Sequence, residues 1–367
     1  MPPTALVCPV CDRTYADRWR CSCGAPLEFA SDPRPDGPAP DFATFDSRRG
    51  LWAFSAFLPV SRQVTLGEGF TPLVDAPDWD AAFKLEYVSP TGSFKDRGAA
   101  TVVSRAVECG ADRVIEDSSG NAGAAIAAYA ARAGLDADIY VPASVADAKR
   151  RAIEAVGARV VEIAGDRETV AAACRNVVEA SEERRSSTNR AESGGGWYAS
   201  HAWNPAFFAG TATFGVELAA QRDWSVPDAV VVPLGHGTLL LGAYRGFRAL
   251  VEAGWTDAMP RLLAVQAAGY APIAGDSGEG RNDLADGIQV RDPVRREAVV
   301  DAIETTDGDA IAVSTDAVRR AHDALRAGGF DVEPTAAAAV AGLRQYRDRG
   351  ALGDGTDVVV PLTGRGK

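Results

Sequence analysis

Residues 90–100 read PTGSFKDRGAA and lie between an alternating stretch, AAFKLEYV (81–88), and an alanine-rich one, AATVVSRAVECGA (99–111). Alternation is the period of a strand and the alanine-rich run suits a helix, so PTGSFKDRGAA is the joint where one hands over to the other. Lys84, Lys95, Lys149 and Lys367 are the only lysines among 367 residues, and arginine supplies the other bases. For Lys84 and Lys149 a basic residue that merely solvates itself beside a turn is a sufficient account. Lys95 fits that account poorly. Ser93-Phe94 before it and Gly98-Ala99-Ala100 after it promise close, dry packing. Desolvation keeps part of an amine population neutral, which covalent capture of an aldehyde requires.

Outward from this joint, strand-like and helix-like runs alternate. DRVIEDSS (112–119) precedes GAAIAAYAARAG (123–134), DADIYVPA (136–143) precedes DAKRRAIEAVGA (147–158), and RVVEIAG (159–165) precedes RETVAAACRNVVEASEE (167–183). The pattern returns in NPAFFAGTATFGVELAAQ (204–221), DAVVVPLG (228–235), LLAVQAAG (262–269) and DVVVPLTG (357–364). Strand–helix alternation of this kind predicts an α/β fold with mostly parallel sheets covered on both faces. SEERRSSTNRAESGGG (181–196) interrupts it with charge, serine and glycine and reads as an exposed loop or insertion. ASDPRPDGPAPDFATFDSRRG (30–50) has no periodic apolar face and reads as a linker. The boundaries expected are 1–30 for a cysteine knuckle, 31–50 for the linker, 51–85 with 190–367 for a larger domain, and 86–189 for a smaller α/β domain.

An aldehyde-bearing cofactor of the pyridoxal phosphate type needs more than a lysine. It needs a cradle for its phosphate, a donor to its phenolic oxygen and a partner for its ring nitrogen. Three stretches are candidates. VVVPLGHGTLLLG (230–242) ends a strand in Gly235-His236-Gly237-Thr238 ahead of a helix, which suits a phosphate, a dinucleotide or a plain tight turn. EDSSGNAGAAIAAYAARAG (116–134) places Asn121 at a helix start. Its amide could donate to a phenolate, and the N–H groups of Ser119, Gly120, Asn121 and Ala122 could hold a substrate carboxylate, or the residues form a simple N-cap. VVVPLTGRGK (358–367) puts Thr363 at the end of a buried strand, where open α/β sheets bind ligands, or where a threonine simply caps the strand.

Four of the six cysteines, Cys8, Cys11, Cys21 and Cys23, crowd into CPVCDRTYADRWRCSC (8–23), a spacing suited to a structural Zn²⁺ with no open coordination position. Cys109 and Cys174 stand alone in helical runs and read as core residues. A net charge of −12 and a pI near 4.9 argue against nucleic acid and anionic membranes as partners and suggest a halophile-like acidic surface. No apolar run approaches the roughly 20 residues of a membrane span, and MPPTALVCPVC lacks a signal-peptide pattern, so a cytoplasmic protein is expected. The only histidines are His201, His236 and His322, and none is spaced from another as a metal ligand, which argues against hydrolase and metal-hydrolase chemistry.

In identity and order these stretches resemble the threonine synthase group of the fold-type II (tryptophan synthase β-like) pyridoxal phosphate enzymes. LGEGFTPL (66–73), HAWNPAFFAG (201–210), AVQAAGYAPI (264–273) and FDVEPTAAAAVAGL (330–343) extend the likeness over nearly the whole chain. The resemblance implies two open, mostly parallel-sheet domains with a small N-terminal zinc-ribbon-like knuckle, assembled as a homodimer. It implies that Lys95 takes the cofactor aldehyde and that Asn121 faces the phenolic oxygen. Gly235, His236, Gly237, Thr238 and Leu239 would cradle the phosphate, and Thr363 would meet the pyridine nitrogen. The implied reaction is loss of phosphate from Cγ of O-phosphohomoserine and addition of water at Cβ, giving threonine. Asn121-Ala122-Gly123 departs from the Asn-Thr-Ser usual in that group, and Phe207 and Phe208 follow Asn204-Pro205 where an arginine is usual. Either Arg97, Lys149, Arg150 or another base meets a substrate phosphate, or the substrate carries none. The alternatives are then a serine or threonine ammonia-lyase or a β-replacement synthase on the same scaffold, and more remotely a non-catalytic homologue.

Overall fold

A computed structural model of the protein describes residues 3–187, 196–275 and 280–366. The chain divides into two compact units, one formed by Met1–Pro33, Leu58–Glu68 and Lys95–Gly210, the other by Arg34–Phe57, Gly69–Phe94 and Thr211–Lys367. The first unit opens with β1 (Leu6–Val7), β2 (Thr14–Tyr15) and β3 (Glu28–Phe29), an antiparallel sheet ordered β2-β1-β3 that carries the four clustered cysteines. β4 (Leu73–Ala76) and β5 (Ala81–Lys84) follow in the second unit as an antiparallel pair.

The chain then returns to the first unit for α1 (Lys95–Glu108), β6 (Arg113–Glu116), α2 (Asn121–Ala133), β7 (Asp136–Pro142), α3 (Asp147–Glu154), β8 (Arg159–Ile163), α4 (Arg167–Ser187) and β9 (Trp197–Tyr198). Strands β6–β9 form a four-stranded, all-parallel sheet ordered β8-β7-β6-β9. The division between units falls inside α5 (Pro205–Ala220). Beyond it come β10 (Ala229–Pro233), α6 (Thr238–Glu252), β11 (Arg261–Ala267), α7 (Arg296–Thr305), β12 (Asp309–Val313), α8 (Thr315–Ala327), α9 (Pro334–Asp348) and β13 (Val358–Pro361). The six-stranded sheet of the second unit, β12-β11-β10-β13-β5-β4, is parallel except for β4 at its edge. Strands such as β10 and β13 are buried at every position, as expected where helices cover both faces.

The expected α/β architecture with two mostly parallel sheets is the observed one, and three local expectations change. Residues 30–50 are more than a tether. In the second unit Trp224 and Trp255 donate their indole N–H groups to Pro40 O (2.7 Å) and Gly37 O (2.9 Å), and Phe45 packs 4.9 Å from Phe54. Prolines and aromatics here supply contacts that no helical or strand period would reveal. Residues 181–187, expected in an exposed loop, continue α4, with Ser181 buried and bonded to Val177 O; the rest of that stretch up to 195 lies outside the described residues.

Lys84, expected to be a solvated base, is fully buried. Its ammonium pairs with Glu217 and donates to Thr71 O at 2.5 Å and Gln221 Oε1 at 2.8 Å, while Glu217 also accepts from the backbone N–H groups of Phe70 (2.7 Å) and Thr71 (2.9 Å). A charge this deep persists only with an opposite charge and a full set of hydrogen bonds.

Candidate active site

In the second unit, the joint around residue 92 is explained by the last strand. Gly92 has φ +91°, a left-handed conformation that glycine adopts without strain, and its carbonyl accepts from Arg365 N at 2.9 Å. Ser93 bridges Gly364, and Phe94 N donates to Thr363 O at 3.0 Å. PTGSF therefore runs beside the end of the chain, and Lys95 is the next residue after one anchored to Thr363. Thr363 is 2% exposed, and its hydroxyl has no hydrogen-bond partner among the described residues. An orphaned buried hydroxyl at the C-terminal end of a parallel strand marks a place for a ligand atom.

Residues 234–237 form the turn between β10 and α6, and Thr238 and Leu239 open the helix. Gly237 is the N-cap in a left-handed conformation (φ 80°) with no side chain capping the helix, and a Cβ there would lie 2.5 Å from Val299 Cγ2. A Cβ on Gly235 would lie 3.0 Å from Gly287 O. A glycine turn with no side-chain cap at the start of a helix is the arrangement in which backbone N–H groups bind phosphate. Thr238 is buried, with its carbonyl accepting from Thr211 Oγ1 at 2.9 Å, Leu239 is buried, and His236 is half-buried in the turn.

The first unit holds the other predicted residues. Lys95 begins α1, and its ammonium lies 5.8 Å from the centroid of the Phe207 ring. The same ring explains Gly98, where a Cβ would come within 2.3 Å of it. Phe207 thus packs on the first turn of α1, and Thr101 Oγ1 ties α1 to Ala206 O at 2.7 Å. Asn121 begins α2 behind an N-cap, Gly120, that contributes no side-chain bond. Gly123 is forced, since a Cβ would meet Ser118 O at 1.8 Å. Arg97, a candidate for a substrate phosphate, is fully buried, and Arg150 is engaged with Asp147 at 3.3 Å.

One pair in this unit escaped sequence reasoning. β6 and β9 are neighbouring parallel strands with Ile115 opposite Tyr198, so Glu116 and His201 emerge at the same ends. His201 Nδ1 lies 2.6 Å from Glu116 Oε1, and His201 N donates to Glu116 Oε2 at 3.2 Å. Burial pushes the Glu116 carboxyl up to about 8. Burial, and after it the Lys95 charge, holds His201 down to about 3. Both shifts favour a neutral acid hydrogen-bonded to a neutral imidazole. Eighty-five residues separate the two, so no spacing motif could reveal them.

The cysteine knuckle belongs to the first unit. Its sulfurs approach at 3.6 Å (Cys8–Cys23), 3.4 Å (Cys11–Cys21) and 3.8 Å (Cys11–Cys23). Trp19 packs edge-on against Tyr198 and Trp203 with centroids at 5.4 and 5.0 Å, and Asp17 accepts from Trp197 Nε1 at 2.9 Å. Cys174 is buried, as expected of a core residue, whereas Cys109 is only half-buried.

Residues 64–364 match the family described as pyridoxal-phosphate dependent enzymes. A threonine synthase of Methanosarcina acetivorans is 35% identical over 333 residues, 86% of this chain and 79% of that one. A threonine synthase of Methanocaldococcus jannaschii is 30% identical over 384 residues, covering 98% and 91% of the two chains. Among solved structures, a fungal L-serine ammonia-lyase from Rhizomucor miehei superposes with a TM-score of 0.67 at 23% identity, over 83% of this chain and 95% of that one, which speaks to the fold alone. With the fold-type II architecture, a matching family over most of its length and relatives of this similarity, the chain belongs to the pyridoxal-phosphate-dependent enzymes and within them is similar to the threonine synthases.

Proposed function

We propose that this enzyme is a threonine synthase, converting O-phosphohomoserine and water into L-threonine and phosphate. The observation that carries the reading is the orphaned, buried Thr363 hydroxyl beside the segment leading into Lys95, in a chain 35% identical to a threonine synthase. Lys95 is the residue we assign to the cofactor aldehyde, Asn121 to its phenolic oxygen, Gly235, His236, Gly237, Thr238 and Leu239 to its phosphate, and Thr363 to its ring nitrogen. When bound, pyridoxal phosphate supplies an electron sink for the substrate carbons; a hydroxyl partner leaves its nitrogen unprotonated. The N–H groups of Ser119–Ala122 hold the substrate carboxylate at the positive end of α2. Lys95, once released as a free amine, removes and returns the α proton and moves one β proton to Cγ.

The cysteine cluster fits a structural Zn²⁺ on Cys8, Cys11, Cys21 and Cys23. Four Zn–S bonds of about 2.3 Å in a tetrahedron set sulfurs about 3.8 Å apart, close to the observed 3.4–3.8 Å. The acidic charge supports a small-molecule substrate and an enzyme independent of nucleic acid. No helix among the described residues is long and apolar enough to cross a membrane. A cytoplasmic homodimer is part of the same proposal.

Phe207 beside Lys95 supports a second reading, an ammonia-lyase acting on an unphosphorylated amino acid. The deciding experiment incubates purified protein in high salt with O-phosphohomoserine, and separately with L-serine and L-threonine, and quantifies threonine, phosphate, keto acid and ammonia. Threonine with stoichiometric phosphate is expected. Keto acid and ammonia from the unphosphorylated amino acids, with no phosphate released, would replace the first reading by the second.

A further inference from the structure

The proposed reaction leaves one proton unassigned. One amine suffices for protons on carbon, because the α proton returns to its origin and one β proton ends on Cγ. The ester oxygen at Cγ must also gain a proton to depart as hydrogen phosphate, and the water that adds at Cβ must lose one. A group that gives the first and regains the second would close the balance, and it cannot be Lys95 while that amine carries a carbon-derived proton.

We propose that the Glu116–His201 pair is this proton carrier, with His201 Nε2 the atom that touches the substrate and Glu116 the residue that positions and recharges it. The pair emerges from β6 and β9 at their C-terminal ends, where parallel sheets bind ligands, and Glu116 directly precedes the Asp117–Gly120 turn leading to Asn121. Glu116 is fully buried, whereas the His201 side chain keeps 13% exposure, so the proton's exit from the pair is through the ring. Phe207 joins the pair to the lysine, with its ring 6.1 Å from the His201 ring and 5.8 Å from the Lys95 ammonium. All these residues belong to the first unit.

With the carboxyl donating to Nδ1, the imidazole presents Nε2–H. As the Cγ–O bond breaks, its electrons stay on oxygen, Nε2 gives that oxygen its proton, and the carboxyl proton shifts to Nδ1. The pair is then carboxylate and neutral imidazole. When water adds at Cβ, its proton enters at Nε2 and the Nδ1 proton returns to Glu116, restoring the starting state. Overall one water-derived proton reaches the departing phosphate.

The inference rests on the proposed threonine synthase reaction, and the test separates the two. In the holoenzyme, His201→Asn is expected to lower phosphate release from O-phosphohomoserine by roughly 10²–10⁴-fold, with exchange of the α proton of L-2-aminobutyrate into D₂O retained, since that exchange uses Lys95 alone. Glu116→Gln keeps a hydrogen bond to Nδ1 but holds no transferable proton, so it should show the same split. In cofactor-free protein, ¹H–¹⁵N spectra of the imidazoles should show His201, identified by its loss in His201→Asn, still neutral at pH 5. Phosphate release and α-proton exchange falling in parallel, neither falling, or an imidazolium at pH 5 would each overturn the proton carrier. No phosphate release by the unaltered enzyme would overturn the proposed function and this inference with it.

Discussion

Lys84 and Lys95 stand on either side of the same joint, and the two units treat them in opposite ways. In the second unit Lys84 is sealed, with Glu217 as counterion and Thr71 and Gln221 accepting its remaining protons. In the first, Lys95 is half-buried against the face of Phe207, with the Glu116–His201 pair beyond the ring. A buried amine whose every proton has a partner is a structural pin. Lys95, by contrast, begins a helix against the face of an aromatic ring, close to two groups that burial holds neutral.

The largest effect that separates them is on turnover. Lys95→Ala should abolish the long-wavelength cofactor absorbance and lower phosphate release by more than about 10⁴-fold, about 5.5 kcal/mol of barrier, with the urea midpoint little changed. Persistence of the absorbance would show that the wrong lysine has been assigned. Lys84→Met should do the reverse and destabilise by about 3–5 kcal/mol, because it strands Glu217. Replacing Glu217 by Gln in the same chain should recover part of that loss, and activity per folded molecule should hold in both variants.

A smaller effect, in pH, distinguishes the titratable pair from the sealed one. Glu116 has a folded pKa raised to about 8 from 4.5, so its stabilisation is complete below about 4.5 and is lost as pH rises through 8. His201 has one lowered to about 3 from 6.5, so its contribution is complete above about 6.5 and is lost as pH falls toward 3. Between about 4.5 and 6.5 the slopes cancel, and stability should fall by about 2 kcal/mol on either side of this plateau. Lys95, Asp117 and Arg167 are the charges acting on His201, and all remain in both variants. Denaturation series should show His201→Asn losing the acid limb and falling steadily from about pH 4.5 to 8, and Glu116→Gln losing the alkaline limb and falling steadily from about pH 6.5 to 3, with the plateau gone in both.

Three lesser tests remain in the first unit. Tyr129 donates to Glu68 at 2.8 Å, and both are buried, so Tyr129→Phe should cost about 1–2 kcal/mol by leaving the carboxylate one donor short. Arg20 lies 4.6 Å over Trp19 and pairs with Glu179, but both partners are more than a third exposed, so Arg20→Ala should change stability by less than about 1 kcal/mol. A larger loss would mean that the knuckle depends on this surface pair more than on its cysteines. Cys8→Ser, read by zinc content, checks the same point.

Much of the molecule was legible in advance because its signals are local. Strand–helix alternation, the Gly235–Gly237 turn and the four cysteines each declare themselves within a few residues, and the matching family over residues 64–364 follows those stretches. The linker was misread for a physical reason. Its Pro40 and Gly37 carbonyls are fastened by single hydrogen bonds from Trp224 and Trp255, and such contacts leave no period. Lys84 was misread because burial is a property of the partner, and Glu217 lies 133 residues away.

From its sequence alone this protein had its α/β class, its knuckle and the expectation of a reactive Lys95, since period, turn chemistry and composition act over short stretches of chain. Tertiary structure decided which polar groups are sealed and which remain available for chemistry. Thr363 reaches Phe94 through strand pairing, Gly98 makes room for Phe207, and Glu116 meets His201 because β6 and β9 are neighbours. Desolvation and hydrogen bonding set the charge of a buried group, and both depend on contacts that only folding brings together.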